Sequence, residues 1–195
     1  MSFFPPPLKT GDTIGVFSSS SCVDKDSINH AQSFMEEQGY KVFIHPQTYN
    51  VHHQSAGEGL EKAAAIHDLF TNPDIKAIFS SRGGNRAGTM IPYLDFDIIK
   101  KNPKILIGYS DLTILLNAIY KETNLITFHG PVFRELPNHH NFNAMINLLS
   151  GRTETIDLSS CKILRDGTAQ GRLLGGNLSL FQTLLGTPHR PDMEG

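Results

Sequence analysis

The sequence predicts an α/β fold built on a mainly parallel sheet with helices on both faces, and three observations predict it. Short apolar runs alternate with helical patterns from near the start to about residue 150, which is the rhythm of successive βα units. Helical stretches carry apolar residues at three- and four-residue spacing, the mark of one buried face. Cap and stop residues fall between the two kinds of segment, so the alternation has physical boundaries.

The elements follow in order. Thr13, Ile14, Gly15, Val16 and Phe17 read as a first strand, followed by a serine loop over 18–21 and a helix capped near Asp24 or Asp26. Ile28, Ala31, Phe34 and Met35 share one face of that helix, and Gly39 is a natural left-handed stop before a second strand over 40–44. The polar stretch 50–59 reads as a surface loop leading to a helix over 60–70 that ends at Asn72-Pro73. Glu58, Glu61 and His67 read as part of a solvated face there. A third strand over 77–80 runs into Arg82-Gly83-Gly84-Asn85-Arg86, followed by short helical turns around Met90, Ile91 and Leu94 and over 95–101. A fourth strand over 104–108 is separated only by Tyr109-Ser110 from a helix over 111–121. A fifth strand over 126–128 leads to His129-Gly130-Pro131 and a closing helix over 141–149.

After Gly151 the pattern changes to isolated strands over 153–158 and 170–174 around the turn at Asp166-Gly167, then a helix over 178–185 that stops at Gly186-Thr187-Pro188. We place the boundary between Gly151 and Arg165, giving an α/β domain over 1–155 and the start of a smaller second domain with β-structure over 156–195. That second unit reads as unfinished, its last residues approaching a further strand.

Length and composition bound the function. A chain of 195 residues buries roughly 70% of its unfolded surface, enough for a core without metal or disulfide staples. With 17 Lys+Arg against 19 Asp+Glu the net charge is −2, which lacks the basic field of nucleic-acid coating proteins. No apolar run nears a membrane span, and Met1-Ser2-Phe3-Phe4-Pro5 lacks the basic start of a secretory signal, so the expectation is a cytoplasmic protein with no membrane partner. Cys22 and Cys161 have no metal or redox spacing and read as buried or half-buried thiols. Of the nine histidines, the adjacent pairs His52-His53 and His139-His140 lack the i, i+4 spacing of helical ligands, so no metal is expected.

Chemistry concentrates where strands end. Ser110 stands where a buried strand meets a helix with almost no loop, in Ile107-Gly108-Tyr109-Ser110-Asp111-Leu112-Thr113. Such a turn projects a hydroxyl into a cleft while the opening helix N–H groups face the same space. Leu112 stands where the nucleophile-elbow pattern of α/β-hydrolases has its last glycine, and a plain serine N-cap also fits the local sequence. The Arg82-Gly83-Gly84 loop ends the third strand on the same sheet edge, where ligands of parallel sheets bind. It offers either half of an oxyanion hole, working with the Asp111 N–H, or a simple glycine turn. His129 ends the fifth strand on that edge, touching either substrate or the Gly130-Pro131 backbone.

These segments resemble one family. Leu8-Lys9-Thr10-Gly11-Asp12, Ser80-Ser81-Arg82-Gly83-Gly84, Gly108-Tyr109-Ser110-Asp111, Thr127-Phe128-His129-Gly130-Pro131 and Leu174-Gly175-Gly176-Asn177-Leu178 occur in the order found in the LD-carboxypeptidases, the serine peptidase group that also contains the microcin C immunity hydrolases. The resemblance spans nearly the whole chain. It implies a flavodoxin-like first domain, Ser110 as nucleophile, and Gly84 and Asp111 as oxyanion donors; Arg82, Gly83, Arg86 and His129, on the same sheet edge, are the candidate substrate-binding residues. It further implies no cofactor, a tendency to form homodimers, and cleavage of the terminal D-alanine from the peptidoglycan stem tetrapeptide during cytosolic recycling.

Two departures accompany it. The family's loop continues with tyrosine and glycine after the two glycines, whereas Asn85 and Arg86 follow here, exchanging an aromatic for a cation. The family also uses a Ser-Glu-His triad whose glutamate lies just beyond the Gly-Thr-Pro segment and whose histidine lies further on. The chain ends at Gly195 before either, and Glu194 precedes the expected position. By itself the chain is therefore expected to be a poor peptidase. The alternatives are a microcin-immunity type amidase acting on peptidyl-nucleotides, and a non-catalytic muropeptide-binding module.

Overall fold

The computed structural model describes residues 2–152 and 161–193. Its centre is a sheet of five strands, β1 (Thr13–Phe17), β2 (Lys41–Ile44), β3 (Ile75–Ser80), β4 (Ile105–Gly108) and β5 (Phe128–His129). They lie in the order β2-β1-β3-β4-β5, and each neighbouring pair is parallel. This is the flavodoxin-type strand order, which reverses direction between β1 and β3 and opens a crevice at their carboxyl ends.

Alternation along the strands divides the core in two. Ile14, Val16, Ala77, Phe79, Ile105 and Ile107 pack on one face with α1 (Lys25–Glu37) and α5 (Phe142–Leu149). Phe17, Ile78 and Leu106 pack on the other with α2 (Gly59–Thr71), α3 (Phe96–Lys101) and α4 (Leu112–Thr123). Burial on both faces explains why these strands are continuously apolar in sequence. Asp24 caps α1 by accepting from the Ser27 N–H at 2.7 Å, and the helix ends before Gly39, whose φ is 87°. The Asp24 carboxyl is held below its ordinary range by these bonds from Ser27.

Five expectations need correction. The stretch 50–59 is not simply a surface loop, because Ser55, Ala56 and Gly57 are buried. A 3₁₀ turn over Pro46–Tyr49 precedes it and sets buried Gln47 to donate to the Ser18 and Ala56 carbonyls at 2.9 and 2.5 Å. Glu58 and Glu61 form a reciprocal capping box on α2, and His67 accepts from the Asp95 N–H at 2.9 Å; these three are working structural groups rather than a free solvated face. The fifth strand pairs only from Phe128, because the N-terminal arm claims the residues before it: Phe3 bridges Leu125 and accepts from the Ile126 N–H at 2.9 Å. Residues 170–174 form no strand, and Cys161 is exposed. Cys22 is half-buried, as expected.

The expected strand over 153–158 and Glu194 lie outside the described residues. Within 161–193 the chain is largely exposed until α6 (Leu178–Phe181) and the 3₁₀ turn Gln182–Leu184. No helix among the described residues is long and apolar enough to cross a membrane.

Candidate active site

Three loops meet at the carboxyl edge of the sheet. The loop after β1 brings Ser18, Ser19 and Ser20, all wholly buried. Their hydroxyls zip it to the loop after β3: Ser18 Oγ lies 2.6 Å from Ser81 Oγ, and Ser19 Oγ 2.8 Å from Ser80 Oγ. Buried hydroxyls of this kind need partners, so the serine-rich sequence here is a joint between two strand ends. Arg82 adds to the joint, its Nη1 donating to the Cys22 carbonyl at 3.0 Å.

The third loop is the two-residue turn from β4 to α4. Ser110 adopts φ 62°, a left-handed conformation that costs a non-glycine residue on the order of 1–3 kcal/mol and is retained where surrounding structure enforces it. The enforcement is visible. The Thr113 N–H binds the Ser110 carbonyl at 3.1 Å, and the half-buried Ser110 is pressed against Gly83. A Cβ on Gly83 would lie 2.9 Å from Ser110 Cβ and 3.2 Å from its Oγ, so only glycine lets the β3 loop approach the serine. A Cβ on Gly84 would collide with the hydroxyls of Ser20 and Ser21. The two glycines thus have separate steric reasons.

Asp111 begins α4 but does not cap it. Its side chain turns away to accept from the Arg86 and Ala87 N–H groups at 3.0 and 3.1 Å. Neither the Gly84 nor the Asp111 N–H donates to another described residue, and neither does a described residue hydrogen-bond Ser110 Oγ. One of these N–H groups follows the strained serine in the chain and the other belongs to the loop packed against it through Gly83, an arrangement that suits stabilisation of an oxyanion.

The rim was only partly legible. His129 is exposed, with its ring centroid 6.4 Å from that of Tyr109, edge to face; burial of part of the ring holds its pKa below the ordinary histidine value. Tyr109 in turn donates from its hydroxyl to Glu135 Oε1 at 3.1 Å. Burial first, and then the Glu135 charge, push the Tyr109 phenol up. The exposed Arg86 ends the loop after β3. Sequence reasoning names Ser110, Gly83, Gly84, Asp111, Arg82, Arg86 and His129 as candidates, and the fold brings the strand ends that carry them to one edge. It does not single out Ser20, Tyr109 and Glu135, which lie in polar loops and turns without a distinguishing pattern, nor Lys62, whose type on a helix signals surface.

The family model of the LD-carboxypeptidase N-terminal domain matches residues 14–130. The chain belongs to the LD-carboxypeptidase family. Within the family, it is 38% identical over 202 residues to the probable murein peptide carboxypeptidase of Bacillus subtilis, covering 100% of this chain and 63% of that protein. It is 32% identical to the microcin C7 self-immunity protein MccF of Escherichia coli, covering 96% of this chain and 65% of the relative. The crystal structure of an MccF-like protein from Bacillus anthracis superposes with a TM-score of 0.87 at 27% identity, over 99% of this chain and 68% of that one. The chain therefore spans a little under two thirds of the length of these two curated LD-carboxypeptidase relatives.

Proposed function

We propose that the protein is a serine LD-carboxypeptidase that removes the terminal D-alanine from cytosolic peptidoglycan stem tetrapeptides, with Ser110 as nucleophile. The observation that carries this reading is the left-handed Ser110 at the β4–α4 turn with Gly83 packed against its side chain. In the proposed reaction Ser110 Oγ attacks the scissile carbonyl carbon and gives its proton to a base. The oxyanion is held by the Gly84 and Asp111 N–H groups. Collapse breaks the C–N bond, and D-alanine leaves with a proton returned by the base. Water, deprotonated by the same group, then releases the acyl chain and restores the serine.

The base is proposed to be the histidine of a Ser-Glu-His triad supplied by residues other than 1–195. Residues 1–195 alone are accordingly proposed to be a poor peptidase, since removing triad members leaves only residual catalysis. The test uses the protein as its gene encodes it, beside residues 1–195. The encoded protein is expected to release D-alanine from the tetrapeptide and to lose at least about 10⁴-fold in rate on Ser110→Ala, while residues 1–195 show no enzymatic turnover. Full activity in Ser110→Ala would overturn the reading.

A second reading, an amidase for peptidyl-nucleotides, is supported by Asn85 and Arg86 in the loop and by structures of MccF in complex with adenosine monophosphate and aspartyl sulfamoyl adenosine. Arg86 is an exposed cation at the rim suited to a phosphate. Comparing kcat/KM for the tetrapeptide and an aspartyl-adenylate analogue separates the two.

A further inference from the structure

A lysine lies buried under the β3 loop, and the proposed chemistry does not use it. Lys62, on α2, is wholly excluded from solvent. Its Nζ donates to the Arg86 carbonyl at 3.0 Å, to Thr89 Oγ1 at 3.0 Å and to Ser55 Oγ at 3.3 Å. An ammonium in such a place is costly unless each proton and its charge are answered. Three acceptors answer the protons. The charge is answered by the buried carboxylate of Asp111, which opposes the downward push that burial gives the Lys62 pKa, while the Arg86 cation adds to that push.

No ion pair joins Lys62 to Asp111 among the described residues, because the backbone of Arg86 stands between them. Asp111 Oδ2 takes the Arg86 N–H and the Ala87 N–H, and Lys62 takes the Arg86 carbonyl. Ser20 Oγ also accepts from the Arg86 N–H, at 2.9 Å. The other carboxylate oxygen, Asp111 Oδ1, is buried without a partner and lies on the Gly83 side, 3.9 Å from where a Gly83 Cβ would be. One residue is thus gripped at both ends of its peptide frame, by a carboxylate from the serine turn and an ammonium from α2.

We propose that Lys62 and the Asp111 side chain are positioning residues, a buried clamp of opposite charges that fixes the 83–87 loop against the Ser110 turn and so holds the Gly84 donor in register with the nucleophile. Asp111 belongs to the serine turn itself, so any slip of the loop is felt at the oxyanion site two residues away. The role in catalysis rests on the hydrolase reading of Ser110; the clamp itself does not.

Two readouts keep these apart. The first is amide hydrogen exchange at Arg86 and Ala87 in the wild type, Lys62→Met, Asp111→Asn and the double variant. Hydrogen bonds to a charged group predict about a 10- to 100-fold loss of protection in Lys62→Met, where a buried carboxylate is left uncompensated. The double variant is expected to recover part of that loss, because neutralising Asp111 removes the stranded charge. Unchanged protection, or losses that simply multiply in the double variant, would overturn the clamp. Should Lys62→Met fail to fold, the near-isosteric Asp111→Asn serves alone, with lost protection confined to Arg86 and Ala87 expected and unchanged protection contradicting. The second readout is tetrapeptide hydrolysis by the encoded protein. Misplacement of the loop predicts a fall in kcat of about 10- to 100-fold with KM nearly constant, again partly restored in the double variant. A wild type that cleaves neither the tetrapeptide nor an aspartyl-adenylate analogue defeats the hydrolase reading and leaves the exchange result standing; a kcat unchanged in Lys62→Met, on whichever substrate is cleaved, overturns the catalytic role of the clamp.

Discussion

Residues 2–152 and 161–193 are built on different terms. The first region holds both core clusters, with strands buried on two faces. The second exposes Ile163, Leu164, Leu173 and Leu178, each more than 70% accessible, and meets the first mainly along α4. There the Asn177 N–H donates to Thr113 Oγ1 at 3.0 Å, Asn117 Nδ2 to the Gly175 carbonyl at 3.0 Å, and His189 Nδ1 lies 2.9 Å from Glu122 Oε1. The difference teaches where stability and chemistry reside. Ser110, its glycine neighbours and the proposed clamp all belong to the first region, so the packing around Ser110 is built without the second. The second region nonetheless grips the helix that Ser110 opens, and Gly176 lies so close to Thr113 that a side chain there would collide with it.

If global stability belongs to the first region, a charge buried at its base governs the whole unfolding transition. Lys104, almost fully buried, donates to the Asn72 carbonyl and to the Ile75 carbonyl at 2.6 Å. Burial, and then the neighbouring Lys76, lower its pKa from 10.5 to about 8. Above pH 8 the unfolded chain therefore binds more protons than the folded one, and unfolding free energy rises with pH until the ordinary lysine value is reached. Denaturant unfolding from pH 8 to 10.5 is expected to show the wild type gaining on the order of 2–3 kcal/mol relative to Lys104→Met. Parallel curves for the two proteins would place the stability elsewhere.

A smaller effect separates strain from packing inside the first region. Ser110→Gly relieves the left-handed backbone and is expected to raise unfolding free energy by about 1 kcal/mol, whereas Ser110→Ala keeps the strain and does not. Equal stabilities for the two variants would show an unstrained turn.

The smallest effect tests the seam between regions. Thr113→Val removes the acceptor of the Asn177 N–H with little change of shape, at a cost of about 1 kcal/mol or less. Amide exchange is expected to quicken over 175–189 while protection in the sheet is unchanged. Loosening of β3 and β4 in the same variant would make the two regions one cooperative unit.

The same contrast marks what the sequence could be made to say. The strands β1, β3 and β4 were legible because burial on both faces leaves unbroken apolar runs, and the Ser110 turn because strand and helix patterns abut there. Residues 170–174 have strand-like composition, yet composition cannot supply the neighbouring strand that would pair with them. Gln47 and Lys62 were missed for the opposite reason: their types signal surface, and only the tertiary position of Ser18, Ala56 and Arg86 shows that each has buried partners. The serines at 18–21 form the loop the sequence predicts, and only the tertiary position of Ser80 and Ser81 shows that Ser18 and Ser19 make it a hydrogen-bonded joint.

The central claim is that this turn presents Ser110 as a nucleophile. Incubating the encoded protein with a peptidyl phosphonate and mapping the adduct by mass spectrometry tests it directly. The account predicts one adduct, on the peptide containing Ser110, absent from Ser110→Ala; an adduct on another residue, with hydrolysis intact in Ser110→Ala, would contradict it.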